Sequence, residues 1–306
     1  MTAPIAVLLM AYGTPRTRDE ILPYYTDIRR GRPPTPEQLT DLLNRYEAIG
    51  GISPLAQRTE AQRDALQAAL DQQAPGQYMV TLGLKHAAPM IETAVNDLAA
   101  LGVKRIIGLV LAPHFSSYSI GQYHGRARDA AAPHGIAFDG IDSWATEPAF
   151  ITFLADDLRQ RLAAMPTNTK VLFTAHSLPQ RIIDAGDPYP DELRATAEAV
   201  AAQVGLAHWS QWAIAWQSAG RTPEPWLGPD ILQVISELGA SENADGVVVS
   251  ACGFVADHLE VLYDLDIEAR AHAEKLGLAF DRTACVNDNP EIMKALAHRV
   301  IAVASN

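Results

Sequence analysis

Three groups of residues in this chain have the types and spacing to do chemistry. The first is His176, which follows an apolar run and precedes Ser177-Leu178-Pro179. Near neutral pH an imidazole binds a metal or accepts a proton. A lone histidine is more often a structural hydrogen-bonding group, but the carboxyl end of a strand is where parallel α/β sites form. The second group is acidic. Glu260, Asp264 and Glu268 recur every four residues, so a helix lines them up on one face. Like charges at that spacing cost roughly 0.2–0.5 kcal/mol per pair, and a solvated acidic face is the usual reason for such a run. This one begins just after a Gly253-Phe254 turn. Three carboxylates in file can pass hydrated divalent cations or protons along a cleft, and with His176 the donor set suits ferrous iron. The third group is cationic: Arg29, Arg30 and Arg32, then Arg45 beside Tyr46. Guanidinium forks match carboxylates bidentately, although a solvated basic surface explains Arg32 as well.

Positioning these groups falls to a regular alternation of elements. Apolar runs at 5–10, 78–83, 105–111 and 136–141 predict four strands, and runs at 170–175, 211–216, 246–251 and 278–281 predict four more. Amphipathic stretches at 55–70, 88–101, 150–162, 191–203 and 257–276 predict helices between them. Such alternation implies right-handed βαβ units and parallel sheets covered on both faces. The chain also repeats itself. Val7–Pro15 (VLLMAYGTP) matches Val171–Pro179 (VLFTAHSLP) in register, and Leu111–Phe115 (LAPHF) parallels Ser250–Phe254 (SACGF). Short strands look alike by chance, but two pairs in the same order point to two similar Rossmann-like α/β halves, 1–145 and 146–306, with the final helix able to pack back on the first. Tyr12 and His176 then sit one residue past equivalent strand ends and can address opposite faces of one ligand.

Other polar residues fall near the same ends. Gly50-Gly51 permits a tight turn, and Ser53-Pro54 is a plausible helix start; this segment can wall a pocket with Ser53 donating to a ligand. His86, His114 and Tyr123 follow strands in the first half. Each is weak alone; together they place polar groups where a binding site forms. Trp209, Trp212, Trp216 and Trp226 read as core or cleft lining.

Composition removes several function classes. The 306 residues carry a formal net charge of −12, with 48% hydrophobic and 20% charged residues, ordinary for a globular enzyme. The acidic balance argues against nucleic-acid binding, which needs a basic footprint. Cys252 and Cys285 are the two cysteines, too few for a disulfide framework or a four-cysteine iron–sulfur cluster. Residues 1–10 lack a basic leader pattern, and no stretch reaches the roughly 20 apolar residues of a membrane span. A cytoplasmic location is the expectation. Neither dinucleotide nor P-loop glycine motifs follow the first strand; nucleophile-elbow and zinc-binding motifs are also missing.

Several long blocks resemble the ferrochelatases in the family's own order. They are MAYGTP (10–15), YYTDIRRGRPP (24–34), RYEAIGGISPLAQ (45–57), GLKH (83–86), LAPHFSSYS (111–119), AHSLP (175–179), GDPYPD (186–191), WQSAGRTPEPWLGPD (216–230) and GFVADHLEVLYDLDIE (253–268). The wording DHLEVLY is most similar to the coproporphyrin type. The resemblance implies a chelatase-type fold, two halves facing across a cleft, and insertion of ferrous iron into coproporphyrin III to give coproheme in haem biosynthesis. Insertion into protoporphyrin IX, a cobalt or nickel chelatase of a related tetrapyrrole, and a non-enzymatic porphyrin carrier are the alternatives. By the same resemblance His176 and Glu260 match the iron-binding and proton-handling pair. Tyr12 matches the residue that meets the metallated product from the other face. Arg29, Arg45, Tyr46, Ser53 and Tyr123 match positions that contact coproporphyrin, and Asp264 and Glu268 match an outer metal path. Iron is then a substrate, no tightly bound cofactor is implied, and a monomer that hands its product to a coproheme decarboxylase is the expectation.

Overall fold

The structure is a computed structural model that describes residues 4–207, 210–220 and 222–305. Among the described residues eight strands form as the apolar runs predict: β1 (Ile5–Ala11), β2 (Tyr78–Leu84), β3 (Arg105–Val110), β4 (Ala137–Ile141), β5 (Thr169–His176), β6 (Trp212–Gln217), β7 (Gly246–Ser250) and β8 (Ala279–Arg282). They build two four-stranded parallel sheets, ordered β2-β1-β3-β4 and β6-β5-β7-β8. The two orders are identical, and β1 and β5, the strands paired in the sequence repeat, hold equivalent central places. Both are apolar almost throughout, with Ala6–Met10 and Val171–Phe173 within 1% of complete burial, as strands covered on both faces require.

The halves share a core. Side chains on one face of β1 (Val7, Leu9) and one face of β5 (Val171, Phe173) belong to a single apolar cluster with Leu66, Leu70, Phe150, Leu154, Leu193, Val200 and Leu296. Four helices supply that inner layer: Leu55–Gln73, Pro148–Ala164, Tyr189–Val204 and Pro290–Ala304. The last packs against the first. The outer face of the first sheet is covered by Ile91–Ala100 and Ile120–Ala131 through Leu8, Met10, Val95 and Ala127. The outer face of the second is covered by Ile231–Ser241 and the 261–275 segment through Leu172, Val249, Ile235, Val261 and Leu265. The order of layers is therefore helix, sheet, shared helices, sheet, helix.

Two expectations need correction. His176 is the last residue of β5 rather than one past it, because its backbone stays in register with Gln217. The 257–276 stretch is not one α-helix. Val261–Ala269 is π-helical, with α-helical bonding before it at 259–260 and after it at Arg270–Lys275. A 3.6-residue apolar period cannot distinguish the two, because both bury the same side of a short segment. Trp209 lies outside the described residues. Trp212 packs edge-on against Phe173 and Trp216 lies tilted by 35° against Tyr189, both on the core side, while Trp226 sits 6.5 Å, ring to ring, from His176.

Candidate functional site

The carboxyl ends of the two central strands bring the chemistry together. His176 Nε2 lies 3.8 Å from Glu260 Oε1, and His258 Nε2 lies 3.7 Å from Glu260 Oε2. These separations are too long for hydrogen bonds but short for charges, so the carboxylate sits between two imidazoles. Burial alone would raise the Glu260 pKa, yet His176, then His258, then Arg45 outweigh it and hold the group below its ordinary value. His176 Nδ1 is 2.5 Å from the Ser177 carbonyl. A carbonyl only accepts, so Nδ1 donates to it and Nε2 is the nitrogen turned toward Glu260. An imidazole and a carboxylate therefore converge on one point.

Tyr12 leaves β1 on the opposite half. Its ring packs 4.6 Å from that of His86, whose Nδ1 contacts Asp27 Oδ2 at 2.7 Å. Tyr12 is 42% exposed, yet its phenol pKa is pushed up, first by surrounding protein and next by the charge of Glu260. The two facts agree if the ring lies at the bottom of an open cleft, wet on one side and enclosed on the rest. The Glu260 charge also reaches Tyr24 and Tyr46, and Arg45 of the first half meets Asp264 of the second, so side chains of both halves face one another here. Tyr24 donates to the Gly13 carbonyl at 3.2 Å, which fixes the turn after Tyr12. Burial lowers the His86 pKa despite Asp27, keeping that ring neutral.

The acidic file continues outward. Asp264 is buried and receives Arg45 Nη1 at 3.0 Å and Ser218 Oγ at 2.5 Å. Burial and then the neighbouring Glu260 still raise its pKa to about 6 against those two partners. Glu268 is exposed at the far end. The wider turn of a π-helix suits this spacing, because four residues come closer to a whole turn than in an α-helix.

The cationic groups divide. Arg45, on the helix Pro36–Ala48, spans both sides: it pairs with Asp264, also lies 3.6 Å from Asp41, and covers the Tyr263 ring at 4.6 Å. That helix is started firmly, with Thr35 and Gln38 forming a reciprocal cap and Pro36 in its first turn, a combination that fixes a helix entry. Arg29, at the end of Ile21–Ile28, covers the Tyr25 ring at 5.6 Å and donates to the Arg32 carbonyl. Tyr46 and Ser53 are buried, with Ser53 Oγ accepting from Leu55 N at 3.3 Å. Tyr123 is 4% exposed beneath the Lys85 ammonium, 5.1 Å from its ring centre. Burial and then Arg126 lower the Lys85 pKa to about 8.

His114 does not join this set. It is 2% exposed and bonds Thr196 Oγ1 at 2.8 Å, so it links a first-half loop to a second-half helix. Burial drives its pKa down to about 3, which makes it a neutral strut. Sequence spacing missed His258, Asp27, Ser218 and Lys85. Helical periodicity puts residues i and i+2 on different faces, which hides His258 from Glu260; the pair meets because it straddles the helix start. Asp27 and His86 are joined only by folding. Among the described residues no cluster of three or more metal-ligating side chains is close enough to hold an ion unaided, and no helix is long and apolar enough to cross a membrane.

The chain is similar to known proteins both in sequence and in fold. The family model described as Ferrochelatase matches residues 4–303. A coproporphyrin III ferrochelatase from Oceanobacillus iheyensis is 44% identical over 99% of this chain and 97% of its own length. One from Bacillus subtilis is 43% identical over 97% of each. Among solved structures, SirB from Bacillus subtilis, determined with Fe3+, superposes with a TM-score of 0.58 at 13% identity, covering 99% of this chain and 96% of that one. CbiX, described as the terminal enzyme of sirohaem biosynthesis in denitrifying bacteria, gives 0.56 at 13% over 97% and 98%. At such low identity these last two are likenesses of fold.

Proposed function

The chain belongs to the ferrochelatase family, and from that premise we propose that it inserts ferrous iron into coproporphyrin III to form coproheme. The observation that carries this reading is the approach of His176 Nε2 to Glu260 at 3.8 Å, with Tyr12, at the matching strand end of the other half, within reach of the Glu260 charge. A free-base porphyrin is nearly flat and carries two inner N–H protons. Metal enters only when the ring is bent, the protons have an acceptor and the ion has shed water. Two rigid α/β halves, 1–145 and 146–306, bend the ring using binding energy gained at its edge. Arg29 and Arg45 grip ring carboxylates, while Tyr46, Ser53 and Tyr123 shape the wall. His176 and Glu260 hold the incoming iron and take protons on one face. Tyr12 meets the metallated ring on the other. Asp264 and Glu268 lead iron in from solvent.

Iron is substrate in this scheme. The two cysteines, both buried and unpaired, support a protein without a four-cysteine cluster and at home in the reducing cytoplasm. A monomer that passes its product to a coproheme decarboxylase completes the proposal. The test is an anaerobic assay of the purified chain with coproporphyrin III or protoporphyrin IX, each offered Fe2+, Co2+ or Ni2+. Turnover should be greatest with Fe2+ and coproporphyrin III. Binding of the porphyrin without metal insertion would leave a carrier, and turnover with Co2+ or Ni2+ alone would leave a different chelatase.

A further inference from the structure

The acidic file is only as straight as the helix beneath it. An α-helix turns about 100° per residue, so eight residues overshoot two full turns by about 80°. From Glu260 to Glu268 that overshoot would swing the last carboxylate away from the first. The wider π turn removes overshoot. π-Helical bonding rarely outlasts a single turn, yet here it holds for nine residues. Contacts outside the backbone must favour it.

Arg282, the last residue of β8, provides them. Its Nε donates to Asp266 Oδ1 at 2.6 Å and its Nη2 to Asp266 Oδ2 at 2.8 Å, a bidentate fork. The same Nη2 reaches Asp257 Oδ1 at 3.3 Å, and Nη1 donates to the Thr283 carbonyl at 3.1 Å. Asp257 is itself held by Asn287 at its side chain (2.9 Å) and its backbone N–H (3.0 Å). One guanidinium therefore spans Asp257, just before the helix, and Asp266, near its end. A wide helix rises less per residue than a narrow one of the same chain length, so a clamp between these points selects the wide form. The Arg282 side chain is 14% exposed and anchored to the sheet, which makes it a stiff gauge. Asp266 lies two residues from Asp264 and hence on a different face, so this clamp acts from behind the file, whereas Arg45 and Ser218 act on its front.

We propose that Arg282 is a positioning residue for the iron site: by forking Asp266 while reaching Asp257, it holds residues 261–269 in their π-helical register and so keeps Glu260, Asp264 and Glu268 in line. The proposal rests on the function given above. Its test uses Arg282→Lys, which keeps the charge and removes the fork, and Asp266→Asn, in the full-length protein. The readouts are amide hydrogen exchange across 261–269, and the KM for Fe2+ and for coproporphyrin III in the anaerobic assay. Exchange should quicken within 261–269 and not in the flanking strands. The iron KM should rise about tenfold, the scale for losing an outer-shell partner of a metal site, while the porphyrin KM stays unchanged. The double variant should be no worse than the worse single, since both remove one interaction. Unchanged exchange in 261–269 would overturn the proposal. So would a porphyrin KM that rises in step with the iron KM, which marks general loosening. The exchange arm is independent of turnover, so a wild-type chain that inserts no iron refutes the function while the clamp stands or falls on exchange. If one variant fails to fold, the other carries the same readouts.

Discussion

The two halves put different chemistry at the same structural address. The central strand of the first ends in Ala11-Tyr12 and that of the second in Ala175-His176, with identical strand order on either side. Around Tyr12 stand the His86 ring held by Asp27 and the phenols Tyr24 and Tyr123, the latter beneath the Lys85 ammonium. Around His176 stand a second imidazole, His258, and the carboxylates Glu260 and Asp264. A repeated scaffold thus supplies matched positions, and side-chain identity divides the labour. On the proposed function the first half grips an anionic ring and the second handles a cation and protons. Arg45 joins them, a first-half guanidinium whose Nη1 pairs with Asp264 of the second half.

That division can be broken most directly at His176. His176→Ala should lower iron insertion by about 100-fold or more, the scale of a lost general base, with porphyrin binding by fluorescence close to wild type. Activity near wild type would dissolve the contrast between the halves. A second probe is the buried Asp264, which has no counterpart beside Tyr12. Its folded pKa, about 6, lies above that of an unfolded aspartate. The folded state therefore holds the extra proton between roughly pH 4 and 6, and stability falls as pH rises through that window. Asp264→Asn should remove the penalty, raising stability at pH 8 by on the order of 2 kcal/mol and changing it little at pH 4. Thermal melts at the two pH values check this; an equal effect at both would contradict it.

Two smaller effects sharpen the first half's role. Arg45→Ala should weaken coproporphyrin III about tenfold, the size of one charge-assisted hydrogen bond, and protoporphyrin IX less, since four carboxylates depend on the arginines more than two do. Equal losses in Kd for both rings would count against carboxylate recognition. Tyr12→Phe should be mildest, lowering kcat by about three- to tenfold through one lost contact. A loss as deep as that of His176→Ala would mean that the two faces share one chemical task.

Much of the fold was legible in the order of residues. Each of the eight strands lies within two residues of its apolar run, because strands buried on both faces need unbroken apolar sequence. The repeat was legible in Val7–Pro15 and Val171–Pro179 because equivalent strand ends face equivalent packing. The site was legible in part. His176, Glu260 and Tyr12 stand out because they sit at strand ends or after turns. His114 stood out for the same reason and proved a buried strut, since position at a strand end does not say which way a side chain turns. His258 was hidden by helical spacing, and the π register by the likeness of short apolar periods.

Local pattern by itself determined the alternation of strands and helices, the duplication, and the residue types offered at each strand end. These depend on burial and on neighbours a few positions away, which sequence records directly. Only the tertiary structure decided that Arg45 meets Asp264, that Asp27 holds His86, and that Arg282 reaches across to Asp266. Those contacts join residues from 16 to 219 positions apart, and their energies depend on distance in space, which chain order does not encode residue by residue.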